Sequence, residues 1–143
     1  MKRFLKALVV LALAGPAAAE GVTVYKIDGS FEDAAFAVES AIVGRGLVID
    51  YVSHVGEMLA RTGADVGSDV QLFEAADVFL FCSAVISRNV MEADLMNIAH
   101  CPYGIFVADT GSEVMVGFRN YPKGTMEEVQ NLLDNIVQEA VEK

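Results

Sequence analysis

The chain is short of positive charge. Its 143 residues hold 10 Lys and Arg against 20 Asp and Glu, a net charge of −10. Nucleic acid and anionic lipid surfaces both need Lys and Arg to displace counterions, so neither is an expected partner. Histidine and cysteine are scarce too, two of each, and they lack the ligand spacing of a zinc site. There are three prolines, no tryptophan, no internal repeat and no low-complexity linker. Collagen and coiled coil are thereby excluded, and a hydrophobic content of 54% excludes a disordered chain. Familiar catalytic signatures are missing: no G-x-S-x-G elbow, no P-loop, no H-E-x-x-H, no C-x-x-C and no C-x-x-C-H. Gly44-Arg45-Gly46 is G-x-G at the end of a predicted helix, whereas phosphates sit at helix starts, so it reads as a cap. No cofactor and no metal site are expected, and the length suits a single domain.

Residues 1–19 have the layout of a secretory signal peptide. Lys2, Arg3 and Lys6 precede an uncharged apolar run, Ala7 to Ala14, too short to span a bilayer. Gly15-Pro16 breaks the run, and Ala17-Ala18-Ala19 is a small-x-small cleavage site. Cleavage after Ala19 predicts export to the periplasm or the medium, without a membrane anchor, since no cysteine follows the junction. The segment carries three basic residues and no acidic one, so its loss takes the net charge from −10 to −13 over 124 residues. The remaining residues 20–143 form the expected single domain.

Within that domain β-branched runs alternate with helical periodicity. Val22–Ile27 reads as a strand. Ser30 and Asp33 resemble a capping box before an amphipathic helix over 31–43, which Gly44 and Gly46 end as a left-handed cap. Leu47–Val52 is a second strand, and His54–Thr62 a short helix. Ser68–Ala75 fits either a helix turn or a strand. The apolar run Val78–Cys82 suits a central strand. Ser87 is placed to cap a helix over 88–98. Gly104–Ala108 and Glu113–Phe118 form strands joined by a hairpin turn, Asp109-Thr110-Gly111-Ser112. Thr125 and Glu128 make a second capping box before a helix whose apolar stripe runs from Val129 to Ala140. The hairpin makes the sheet at least partly antiparallel, and the long first and last helices are expected to cover one face of it. That is an α+β two-layer sandwich.

Polar chemistry concentrates between Cys82 and Tyr103. Ser87, Arg88, Glu92, Asp94, Asn97 and Tyr103 are the candidate ligand-binding residues, with Arg88 holding an anionic group and Asn97 and Tyr103 orienting it. Arg88 and Glu92, four apart, can also pair as an ordinary surface ion pair. Cys82 and Cys101 carry two readings. They form a disulfide if the two strand ends meet in an oxidising compartment, and Cys82 is a small buried hydrophobe if they do not. Met91, Met96, His100 and Cys101 have the softness for Cu(I), but Met91 and Met96 point to different helix faces, which favours core packing.

Cys82-Ser83-Ala84, Ser87-Arg88, Met91-Glu92-Ala93-Asp94, Asn97-Ile98 and Cys101-Pro102-Tyr103 follow in an order that resembles the bacterial family called domain of unknown function 302. The stretch Val114-Met115-Val116-Gly117-Phe118-Arg119 and the start through Gly44-Arg45-Gly46-Leu47 are similar to it as well, so the resemblance covers about Val22 to Tyr121. It implies a TATA-binding-protein-like α+β fold, mostly antiparallel, with a homodimer as a possible assembly. It implies no DNA binding, because fold is not function and the charge has the wrong sign. It transfers no catalytic residue. The expected function is an exported, non-enzymatic binding or accessory module for a small anionic ligand. The alternative is a thiol- or metal-linked redox protein using Cys82 and Cys101.

Overall fold

The structure is a computed structural model that describes residues 17–19 and 21–142. Residues 1–16 and Glu20, on which most of the expected signal peptide and the residue after its expected cleavage site fall, lie outside the described residues, as does Lys143. The elements are β1 (Ala17–Ala19), β2 (Val22–Ile27), α1 (Phe31–Val43), β3 (Val48–Ser53), α2 (Val55–Thr62), β4 (Ala75–Cys82), α3 (Ala84–Ala93), β5 (Tyr103–Asp109), β6 (Val114–Arg119) and α4 (Glu127–Val141). Short 3-10 helices cover Ala64–Val66 and Leu95–His100. The strands form one sheet in the order β1-β2-β6-β5-β4-β3, and every pairing is antiparallel. β1 pairs with β2, Ala19 opposite Val22; without it the sheet has five strands.

Strand alternation decides which side chains meet the helices. Phe79 and Phe81 of β4, Tyr103, Ile105 and Val107 of β5, and Val114, Val116 and Phe118 of β6 point to one face. Ala34, Val38, Ala41 and Ile42 of α1 and Val129, Leu133, Ile136 and Val137 of α4 cover them, at the three-to-four spacing that puts a stripe on one side of a helix. This is the expected α+β two-layer sandwich with its helices on one face. Tyr25 of β2 ties the sheet to α4, its hydroxyl donating to Asp134 Oδ1 at 2.7 Å. On the other face Gly117 lets the sheet close. A Cβ there would collide with the Thr23 carbonyl oxygen and lie 2.6 Å from Phe106 Cζ.

Local boundaries differ from expectation where tertiary partners compete for a cap. Ser83, not Ser87, caps the helix after β4, accepting from the Ile86 amide at 3.3 Å. That helix ends at Ala93 instead of reaching residue 98, because Asp94 leaves helical geometry (φ −155°, ψ 117°) and its side chain caps the following 3-10 helix. The expected capping box of Thr125 and Glu128 does not form. The Thr125 hydroxyl accepts from Asn97 and the Glu128 carboxylate from Asn89, so α4 starts at Glu127 with no side-chain cap. Ser30 does cap α1. The left-handed residue after α1 is Gly46 (φ +73°), while Gly44 stays right-handed. Ser68–Ala75 is neither helix nor strand until β4 starts at Ala75.

Candidate functional site

Antiparallel neighbours put the end of β4 beside the start of β5, and this decides the geometry of the polar stretch. Cys82 and Cys101 lie at that shared end with Cα atoms 6.8 Å apart, and their sulfurs form a disulfide that closes the excursion carrying α3 and the 3-10 helix after it. The two-reading question about the cysteines is thereby resolved in favour of the bridge, since the chain between them does not run back along the sheet.

The six candidate binding residues separate into two groups. Ser87, Asn97 and Tyr103 point inward. The Tyr103 ring is wholly buried, and its hydroxyl meets the Ser87 hydroxyl at 2.9 Å. Asn97 is buried and donates to the Val90 carbonyl at 2.7 Å and to the Thr125 hydroxyl at 3.2 Å. These groups hold the excursion onto the domain. Arg88, Glu92 and Asp94 point outward. Arg88 Nε donates to Glu92 Oε1 at 2.7 Å, with side chains 78% and 64% exposed. Asp94 is taken up by its cap. The structure therefore does not bring the six to one concave site. Nor does it assemble Met91, Met96, His100 and Cys101. Met91 packs against the core, Met96 is exposed, Cys101 is bonded to Cys82, and the His100 ring meets Tyr121 edge-on with centroids 5.7 Å apart.

Tyr121 was not singled out by sequence, yet it links the excursion to a concavity. Its ring lies edge-on to Tyr103, with centroids 6.0 Å apart. Burial pushes its hydroxyl above the ordinary tyrosine value of 10.0, against the opposing charge of Arg119, so it stays protonated and a donor at neutral pH. Beside it opens a groove of about 570 Å³ lined by Thr23, Asn120, Tyr121, Lys123, Gln130 and Asn131 among others. Its walls are pre-set by hydrogen bonds: Thr23 donates to Asn120 Oδ1 at 2.6 Å, and Gln130 Oε1 accepts from the Tyr121 amide at 2.9 Å. Glu127, also on the rim, is the acidic group of this lining. No local signal marks this groove, because it arises where the start of β2 meets the start of α4. A larger groove of about 670 Å³ lies between α1, α4 and the far end of β2, lined by Lys26, Asp28, Asp33, Phe36 and Ser40 among others. Lys26 is paired there with Glu113, and two carboxylates remain on its rim.

A family model described as domain of unknown function DUF302 matches residues 23–143. No curated protein matches the sequence. Among solved structures, the crystal structure of an uncharacterized conserved DUF302 protein from Bacillus stearothermophilus is similar, with 15% identity and a TM-score of 0.59 over 87% of this chain and 90% of that one. At that identity the likeness concerns the fold.

Proposed function

The chain belongs to the DUF302 family, whose function is unknown, and on that premise we propose that it is an exported, non-enzymatic binding module for a small anionic ligand. The observation that carries this reading is the groove beside Tyr121, where the Lys123 ammonium and the side-chain amides of Asn120 and Asn131 supply donors around a space of about 570 Å³. A concave lining with a few fixed polar groups is what small-molecule sites use. Arg88 offers a second cationic point, since an exposed ion pair with Glu92 exchanges its partner at little cost. Thermal shift with inorganic phosphate and with succinate tests the reading on the mature chain and on Lys123→Ala and Arg88→Ala. A stabilisation lost only in Lys123→Ala places the ligand in the groove, and one lost only in Arg88→Ala places it on α3. No stabilisation by either anion removes the anionic ligand. N-terminal sequencing of exported material should read Glu20 first; an intact Met1 rejects export.

The Cys82–Cys101 bond favours a second reading, a thiol-linked redox protein. Its reduction potential decides. A structural bond lies below about −300 mV, and an exchanging one lies well above that value.

A further inference from the structure

The segment between β3 and β4, residues 54–74, is an arm with few anchors. Within α2 the one buried residue is Gly56, and the 3-10 helix Ala64–Val66 buries none. Met58, Val66, Val70 and Leu72 are exposed. Behind the arm Gly56, Leu59, Val70 and Phe73 line a space of about 30 Å³, room for one water. Gly56 lies directly on β4: a Cβ there would be 2.6 Å from the Ala76 nitrogen. The other anchor at this end is polar. His54 occupies the N-cap position of α2 but makes no side-chain cap to its own helix. Its imidazole turns to β4, with Nδ1 2.8 Å from Asp77 Oδ1.

We propose that His54 and Asp77 form a protonation-gated clasp, which fastens the 54–74 arm to β4 when His54 is charged and loosens the arm when it is neutral. His54 is 55% exposed, so it exchanges protons freely with solvent, while Asp77 at 16% is a fixed acceptor on the sheet. The charged groups acting on the ring are Asp77 from β4 and Glu57 from its own helix. Both favour the cation, and Glu57 in the first turn answers the helix dipole that disfavours a cation at this end. The hydrogen bond to Asp77 first, and its charge second, hold the imidazole above its ordinary value of 6.5. The raised value fixes the sign. The contact contributes in full below pH 6.5 and fades as pH rises through the higher folded value. A neutral ring can still donate from Nδ1, so deprotonation removes the charge assistance and not the whole bond.

Hydrogen exchange tests this on the mature chain, reading the amides of Met58 and Ser68, which close turns within the arm, against core amides of Ile105 and Val116. Between about pH 5 and about pH 9 the arm's protection factor should fall on the order of three-fold while the core's holds, as suits one exposed charge pair. In His54→Gln and in Asp77→Asn the arm should be loose at both pH values. An unchanged pH response in either variant, or arm and core losing protection together in the wild type, overturns the clasp. A flat arm in the wild type overturns it equally. Neither variant touches the groove beside Tyr121, so phosphate and succinate binding is read separately and its outcome leaves this test unaffected.

Discussion

β4 is flanked by two excursions of similar length, and they are fastened in different ways. The one after it, Ser83–Pro102, is closed by the Cys82–Cys101 disulfide, pinned by the buried Asn97 and anchored by Val90 in the core. The one before it, residues 54–74, rests on a glycine-backbone contact and a half-exposed histidine–aspartate pair. Covalent closure keeps the loop ends together while it lasts, and breaking a buried hydrogen bond leaves an unpaired polar group behind. A surface pair is screened, and this one weakens when His54 loses its proton. Local opening is therefore expected in residues 54–74, with α2 opening far more than α3.

The largest effect should come from removing the bridge. Cys82→Ala with Cys101→Ala is expected to lower unfolding free energy by about 3 kcal/mol, the value for a loop of this order, as measured by guanidinium denaturation with and without reductant. If α3 keeps its exchange protection after reduction, the buried hydrogen bonds and not the disulfide set the contrast. Gly56→Ala should come next, costing about 2 kcal/mol, because the new methyl meets the β4 backbone at Ala75 and Ala76, which cannot yield as a side chain would. Limited proteolysis should then cut within 54–74 while α3 stays intact; resistance equal to wild type would show that the glycine contact does not hold the arm. Asn97→Ala should cost about 1.5 kcal/mol by removing a buried side-chain donor from the Val90 carbonyl, which keeps the Asp94 amide, and from the Thr125 hydroxyl. Its opening should be confined to Leu95–His100 and the start of α4, and a global loss of exchange protection would contradict that placement.

Much of the fold was legible because its signals are local. The β-branched and aromatic run Val22–Ile27 and the 31–43 periodicity match β2 and α1 residue for residue. Errors arose where two residues of one type competed for a role. Ser83 and Ser87 can both cap a helix, and the end of β4, fixed by pairing with β3 and β5, selects Ser83. The Ser87 hydroxyl then faces Tyr103. Thr125 and Glu128 have the right spacing for a capping box, but Asn97 and Asn89 reach them first. The candidate site was half legible. Polar density between Cys82 and Tyr103 falls on one excursion, but density does not say which groups face inward. Tyr121, Lys123 and Asn120 carried no motif at all.

By itself the sequence determined the two-layer α+β class, the order of the principal strands and helices, and the acidic charge, because these follow from side-chain period and composition. Only the tertiary structure decided that Cys82 meets Cys101, that His54 meets Asp77 across 23 positions, and that the starts of β2 and α4 enclose a groove. Each of those depends on which strands lie side by side, and strand adjacency is settled by the packing of the whole sheet against α1 and α4 rather than by any short stretch of residues.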